Sequence, residues 1–334
     1  MLRGFMLGLA CGLLTTPLPL AMALATRMFC ALQAGLVPSP PHGDESAGFT
    51  EVHVMYSSNS DYFAALLVSM ISLAQHLRSP SLCSIHLIVP AIELAAAKEL
   101  VECFLQEVSD AERAAPKVFV HALQPLPFSI EKFRPFNGKH NQSEMLYARL
   151  YAGNYIPDVG RVLYLDSDVI VKADIGPLYR MRMEHTIAAR PTPWMTYLQC
   201  WGLDVMKDVP EEFMFNSGVM LMDLERWKSE SVPYAIAELL NSTEGCIADQ
   251  LAMNAHFRGA FDHLPARWHT ESLGEAPWLR WVAPACRSGI LHWTGPNKFW
   301  NRSRYRDIDF LVRPHLPRQR CRALPEDIRA LYEM

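Results

Sequence analysis

The chain has 334 residues, 50% of them hydrophobic, enough to bury a large core in one α/β domain of ~250 residues or in two smaller ones. Its net charge is −4 with no long run of one sign, which argues against a general nucleic-acid surface. That balance fits a discrete site built from a few basic residues and a metal.

In chain order, residues 4 to 26 carry no charged side chain and lie between Arg3 and Arg27. A spanning helix needs about 20 apolar residues. Pro17 and Pro19 interrupt this one, and Ala21-Met-Ala-Leu-Ala25 offers small-residue cleavage positions. Residues 1–30 therefore read as a signal anchor or as a cleaved signal peptide. Either reading sends the rest of the chain into the secretory pathway. An uncleaved segment would make a single-pass type II membrane protein facing the Golgi lumen, and a cleaved one a secreted protein. Residues 37 to 48 are rich in Pro, Gly and Ser, so 31–49 reads as a linker or stem. Cys11 and Cys30 belong to the N-terminal segment. Cys83, Cys103, Cys200, Cys246, Cys286 and Cys321 are free to form disulfides in such a compartment, with a pairing the sequence does not choose. No Cys-x-x-Cys is present, which argues against a thiolate zinc site. Glycosylation sequons start at Asn141, Asn241 and Asn301.

Val52 to Tyr56 reads as a first strand, and Tyr62 to Leu77 has apolar residues at helical spacing. Ile85 to Val89 is a second strand, after which Pro90 is placed to open a helix through Phe104. Lys117 to His121 reads as a third strand and Ser143 to Tyr155 as a helix with Ser143 as its cap. Val162 to Leu165 is a fourth, buried strand. In the second half, Asn216 to Asp223 reads as a turn entering a buried strand, Ile247 to Phe257 as a short helix and Gly289 to Trp293 as a late strand. Strands alternating with helices imply a mostly parallel sheet covered on both faces.

Asp166 and Asp168 stand at the C-terminal end of the fourth strand, between two apolar runs. Carboxylates are poor strand and core residues. A divalent cation bridging substrate phosphates explains both, because Mg²⁺ and Mn²⁺ prefer hard oxygen ligands. The other reading is a polar turn after a core strand. In parallel sheets ligands bind at the carboxyl ends of strands, which favours the cation.

Several segments, in order and at similar spacing, resemble the retaining glycosyltransferases of family 8. They are Tyr147-Ala-Arg-Leu150, Tyr164-Leu-Asp-Ser-Asp168, Phe215-Asn-Ser-Gly-Val219, Asp249-Gln250 and Leu291-His-Trp-Thr-Gly-Pro-Asn-Lys-Phe-Trp300. The family includes lipopolysaccharide galactosyltransferases, glycogenins and galacturonosyltransferase-like proteins. The resemblance spans residues 50–302 and leaves 303–334 as a C-terminal extension. It implies a GT-A type nucleotide-diphospho-sugar transferase fold. The implied reaction is Mn²⁺-dependent (or Mg²⁺-dependent) transfer of a hexose or uronic acid from a UDP-sugar to an acceptor hydroxyl of a glycan or glycoconjugate, with retention.

The same resemblance assigns Asp166, Asp168 and His292 to the metal. An imidazole beside carboxylates favours Mn²⁺ over Mg²⁺. Lys298 is implied on the donor diphosphate as a point charge, Gly295 where the backbone approaches it, and Arg149 near the donor. Tyr56-Ser-Ser-Asn-Ser-Asp-Tyr62 resembles the nucleotide-binding turn and implies Asn59, Asp61 and Tyr62, with Asn59 standing where many relatives have an acidic residue. Asn216, Asp249 and Gln250 are implied near the transferred sugar. Whether a side chain acts as nucleophile or attack is front-face stays open. At Trp268-His-Thr270 many relatives carry Trp followed by Asn, so His269 replaces a residue often associated with the sugar pocket. Trp278, Trp293 and Trp300 line an acceptor groove or belong to the core. The rival readings are a catalytically silent, lectin-like or assembly partner and a metal-dependent phosphohydrolase.

Overall fold

The computed structural model describes residues 51–109, 114–131, 133, 143–192, 214–243, 248–275, 288–300, 309–318, 321 and 324. The expected signal segment and stem, Asn141, Asn301, Cys200, Cys246, Cys286, Trp278 and most of 303–334 lie outside the described residues. Among the described residues no helix is long and apolar enough to cross a membrane.

The strands are β1 (Val52–Ser57), β2 (Cys83–Val89), β3 (Lys117–Ala122), β4 (Arg161–Leu165), β5 (Val169–Val171), β6 (Ile187–Pro191), β7 (Phe215–Asp223), β8 (Asp262–His263) and β9 (Ile290–His292). The helices are α1 (Phe63–His76), α2 (Leu94–Val108), α3 (Ala152–Tyr155), α4 (Gly176–Tyr179), α5 (Leu224–Ser229), α6 (Val232–Ser242), α7 (Asp249–Phe257) and α8 (Asp309–Val312). The main sheet has the order β3-β2-β1-β4-β7-β6-β8, and β5 pairs with β9 in a second, two-stranded sheet. Strands β3, β2, β1 and β4 are mutually parallel, while β7 runs antiparallel to both β4 and β6.

Side-chain alternation divides the core into two layers. Val54, Tyr56, Leu163, Leu165, Val219 and Leu221 pack under α1 and α2. Met55, Val162, Tyr164, Met220 and Met222 face the opposite way, toward α5, α6 and α7. Because both faces are covered, β2 is buried along its whole length, including Ser84 and His86 between its apolar residues. Trp227 of α5 shows how completely the second layer closes: it is 1% exposed, and its indole N–H donates to Leu150 O at 3.0 Å. The small β5–β9 sheet packs on Ala65 and Val68 of α1 together with Leu311 and Val312.

Local outcomes differ from the sequence expectations in instructive ways. Pro90 precedes a 3₁₀ turn, Ala91–Glu93, before α2 begins. The expected helix from Ser143 is a 3₁₀ helix, Glu144–Tyr151, continuing into the single turn of α3, and Ser143 makes no side-chain cap. The segment expected as an extension is tied back to the domain: Cys321 forms a disulfide with Cys103 of α2, and Cys321 and Leu324 belong to the first core layer. Cys83 is a buried free thiol.

Three histidines cross the parallel edge of the sheet. His53 Nδ1 lies 3.2 Å from His86 Nε2, and His86 Nδ1 lies 3.3 Å from His121 Nε2. Burial, reinforced by His53 and His121 and opposed by Glu51, pushes His86 down from 6.5 to about 4. Burial also lowers His53 and His121. The folded chain therefore binds fewer protons than the unfolded chain between those two pH values, and stability is lost as pH falls through that window. In urea titrations from pH 7 to pH 4, His86→Phe, which preserves the stack on Phe119, is expected to flatten the acid side of the stability profile. An unchanged slope would place the acid sensitivity elsewhere.

Candidate active site

The topology brings two loops side by side. β1 and β4 are neighbours and parallel, so the turn after Ser57 and the residues after Leu165 leave the same edge of the sheet. Next to them β7 runs back antiparallel, and Asp166 N donates to Gly218 O at 2.8 Å. β9 then delivers His292 opposite Val169, with Trp293 N donating to Asp168 O at 3.0 Å. Four segments far apart in sequence thus meet at one point.

Asp166, Asp168 and His292 each offer a ligand atom, all within 4.8 Å of one another. His292 Nε2 is 3.0 Å from Asp168 Oδ1 and 3.7 Å from Asp166 Oδ2. Adjacent ligands of an octahedral ion with bonds of ~2.1 Å lie about 3 Å apart, so the spacing suits a small divalent cation. The donor set of two carboxylates and one imidazole suits it as well. The space is kept by Gly218, where a Cβ would lie 2.2 Å from His292 Cε1 and 2.6 Å from Asp166 Oδ2.

Charges around the cluster are arranged in two chains. Arg149, on the 3₁₀ helix, is buried and donates from Nη2 to Asp166 Oδ1 at 2.9 Å and from Nη1 to Ser217 O at 2.8 Å and Ser217 Oγ at 3.0 Å. Its Nε is 3.2 Å from Asp249 Oδ2, and its guanidinium lies 4.2 Å over the Tyr164 ring. Burial disfavours the Arg149 cation, but Asp166, Tyr164 and Asp249 outweigh it and raise its pKa. Burial raises the Asp249 carboxyl against the pull of Arg149. In the second chain, Lys298 donates to Asp168 Oδ2 at 2.5 Å and to Trp293 O at 2.8 Å. Burial works against the Asp168 carboxylate, yet Lys298 and His292 hold it well below the usual carboxylate range. Burial likewise opposes charge on His292 and Lys298, and Asp168 more than compensates in both.

The other expected residues fall around this cluster. Tyr62 meets Trp300 edge-on with ring centroids 5.4 Å apart, and Lys298 is 6.0 Å from the same indole. Asn59 and Asp61 lie on the turn before α1, partly exposed and exposed, and Glu93 braces that turn by accepting from Ser60 N at 2.6 Å and Ser60 Oγ at 2.8 Å. Gly295 has φ +92°, and a Cβ there would lie 2.4 Å from Glu275 Cγ. Asn216 turns its Oδ1 to Gly218 N at 2.8 Å, and so shapes the strand beside the cluster. Gln250 Oε1 accepts from Ser217 N at 2.8 Å and Ser217 Oγ at 3.1 Å. Trp293 is fully buried in the third core cluster.

Three residues were not singled out for this site from the sequence: Ser217, Gly218 and Tyr164. Ser217 joins Arg149 to Gln250, and Tyr164 donates to Asp166 Oδ1 at 3.1 Å while bonding Ser57 Oγ at 2.8 Å. The signal was inside the quoted motifs, in a small Ser-Gly pair opposite the Asp-x-Asp strand.

A family model described as "Glycosyl transferase family 8" matches residues 53–304. The Arabidopsis thaliana protein described as "Probable galacturonosyltransferase-like 4" is 26% identical over 283 residues, which is 75% of this chain and 74% of that protein. "Glycosyltransferase 8 domain-containing protein 2" of Bos taurus is 25% identical over 221 residues, covering 54% of this chain and 63% of its own length. Among solved structures, the galactosyltransferase LgtC in complex with donor and acceptor sugar analogs aligns with a TM-score of 0.62 at 19% identity, over 84% of this chain and 99% of that one. The fold is of the GT-A type, an α/β fold with a mostly parallel central sheet.

Gly218→Ala tests the cradle. The added methyl is expected to weaken divalent-cation binding at least tenfold in calorimetric titration and to cost about 1–3 kcal/mol of stability through overpacking. Binding at the wild-type level would show that the strand yields and the cradle is not tight.

Proposed function

The chain belongs to glycosyl transferase family 8, and from that premise we propose that it transfers a hexose or uronic acid from a UDP-sugar to an acceptor hydroxyl, with retention and with Mn²⁺. The observation that carries this reading is the convergence of Asp166, Asp168 and His292 with Lys298 on the same carboxylate. A Mn²⁺ ion held by those three ligands would supply Lewis-acid neutralisation of the leaving nucleoside diphosphate.

The chain's own residues do the rest. Lys298 exchanges its contact with Asp168 for the donor diphosphate and adds a second positive charge on the leaving side. The positive-φ turn at Gly295 lets backbone come close to that diphosphate. Asn59, Asp61 and Tyr62 hold the nucleoside where the β1 turn meets Trp300. Arg149 fixes Asp166 and Asp249 relative to one another, so the metal side and the sugar side of the pocket share one rigid element. Asp249 accepts a sugar hydroxyl, and Gln250 with Asn216 and Ser217 forms the floor beneath the sugar. Asp249 and Gln250 are the first two residues of α7, Asp249 buried and Gln250 half-buried with its Oε1 held by Ser217.

The N-terminal uncharged stretch and the Cys103–Cys321 disulfide both support folding in an oxidising secretory compartment. In this reading residues 50–302 form the catalytic domain and 31–49 a stem. Residues 1–30 address the chain to the Golgi lumen or to secretion, and 303–334 make a C-terminal extension. The convergence of intact ligands favours an enzyme over a silent partner.

A panel of UDP-sugars with Mn²⁺ is expected to give UDP release from one donor. EDTA should abolish it, and Asp168→Ala should reduce it by at least a hundredfold. Arg149→Lys should keep the charge but lose the three-way fork, lowering turnover more than tenfold. Silence across the panel from a folded protein that binds neither Mn²⁺ nor UDP would sink the proposal.

A further inference from the structure

We infer that His269 is a positioning residue for the metal ligand His292: it sets which nitrogen of that imidazole faces the two aspartates. The inference rests on the proposed metal site. His269 stands where many relatives have a residue associated with the sugar pocket, and the structure places it behind His292, fully buried. His269 Nε2 lies 2.8 Å from His292 Nδ1, and the two rings meet edge to edge with centroids 5.1 Å apart and planes 24° apart.

The backbone fixes both rings. Thr270 N donates to Ile290 O at 2.9 Å, and His292 N donates to Thr270 O at 2.8 Å, so the 268–270 segment runs parallel to β9. Arg190 Nη1 donates to His269 O and anchors the segment from β6. The ladder holds the two backbones in register, and the Nε2–Nδ1 contact orients the buried rings relative to one another.

The chemistry follows from what an imidazole can do. One nitrogen of a neutral ring carries a hydrogen and the other a lone pair. The His292 nitrogen facing Asp166 and Asp168 is Nε2. For Nε2 to give its lone pair to a cation, Nδ1 must carry the hydrogen and find an acceptor, and His269 Nε2 is that acceptor. The hydrogen of His269 then sits on Nδ1, a buried atom with no hydrogen-bond partner among the described residues. That unpaired group is a cost the site accepts in order to orient its ligand. An amide side chain at position 269 offers an acceptor oxygen as well, whereas an apolar ring of the same size offers none.

The test uses the folded chain with Mn²⁺ alone. Wild-type protein is expected to show nitrogen coupling from His292 in the spin-echo spectrum of bound Mn²⁺. His269→Phe should lose 10- to 100-fold in Mn²⁺ affinity, the range typical for removal of such a partner, with weakened nitrogen coupling. His269→Gln should recover most of the affinity and the coupling. Independently of any variant, wild-type protein with Mg²⁺ should show a ¹⁵N–¹⁵N coupling across the hydrogen bond from His292 Nδ1 to His269 Nε2. Unchanged affinity in His269→Phe overturns the inference and leaves the metal site standing, whereas a hydrogen on His292 Nε2 in the Mg²⁺ form overturns the inference together with His292 as a ligand of that ion. Wild-type protein that binds Mn²⁺ without any nitrogen coupling overturns the assignment of His292 itself.

Discussion

The constraint on which this site depends is a guanidinium buried among carboxylates. Arg149 is 2% exposed and reaches Asp166, Asp249 and the Ser217 backbone at once. Burying such a group is expensive, and the attraction of its partners returns that cost only when its N–H groups are paired. Such a network is poor evidence of added stability, because well-packed apolar residues often do as well. What it gives is position. A planar fork with its neighbours in fixed directions leaves Asp166 one orientation, and Tyr164 stacked beneath the fork leaves the guanidinium one plane. The strand end, the 3₁₀ helix and α7 are thereby joined through one side chain.

The sheet supplies the rest of the precision. β4 and β5 are separated only by Asp166, Ser167 and Asp168, and each strand is held by a different partner, β7 on one side and β9 on the other. The two carboxylates therefore sit at a junction between two sheets, where neither can drift along a strand axis. Close approach at the junction demands the missing side chain of Gly218, since β7 passes directly against His292 and Asp166.

Much of this was legible in the sequence, for a physical reason. Strands buried on both faces read as predominantly apolar runs, so β1, β2, β4 and β7 are visible, and a carboxylate pair at the end of such a run is conspicuous because nothing in a core explains it. The β6 and β8 strands were not visible: Asp262 and His263 carry no strand pattern, and their pairing is imposed by Ala188 and Ala189 across the sheet. Apolar spacing marks the segment 144–151 as a helix but does not separate α from 3₁₀ geometry. There the Arg149 Nε bond to Leu146 O at 3.1 Å accompanies the tighter winding. The contact of His269 with His292 is hidden from the sequence for a different reason. The neighbours of His269 along the chain say only that it follows a tryptophan, while its role is set by a ring from twenty-three residues away.

Charge balance ties these elements to the proposed reaction. Asp166, Asp168 and Asp249 face two fixed cations, Arg149 and Lys298, so with His292 neutral, as a ligand must be, the buried cluster holds one negative charge in excess. A divalent cation reverses that sign and leaves the pocket positive, a state that a low-dielectric interior tolerates only with an anion present. The donor diphosphate is such an anion, and Lys298 is placed to pass from Asp168 to it as the balance shifts. A doubly charged diphosphate returns the total to one negative charge, the balance of the cluster by itself, so cation and diphosphate offset one another's charge and each favours the other's binding. In the proposed reaction the cluster thus suits a divalent cation by its geometry, and a cation with its diphosphate by its charge.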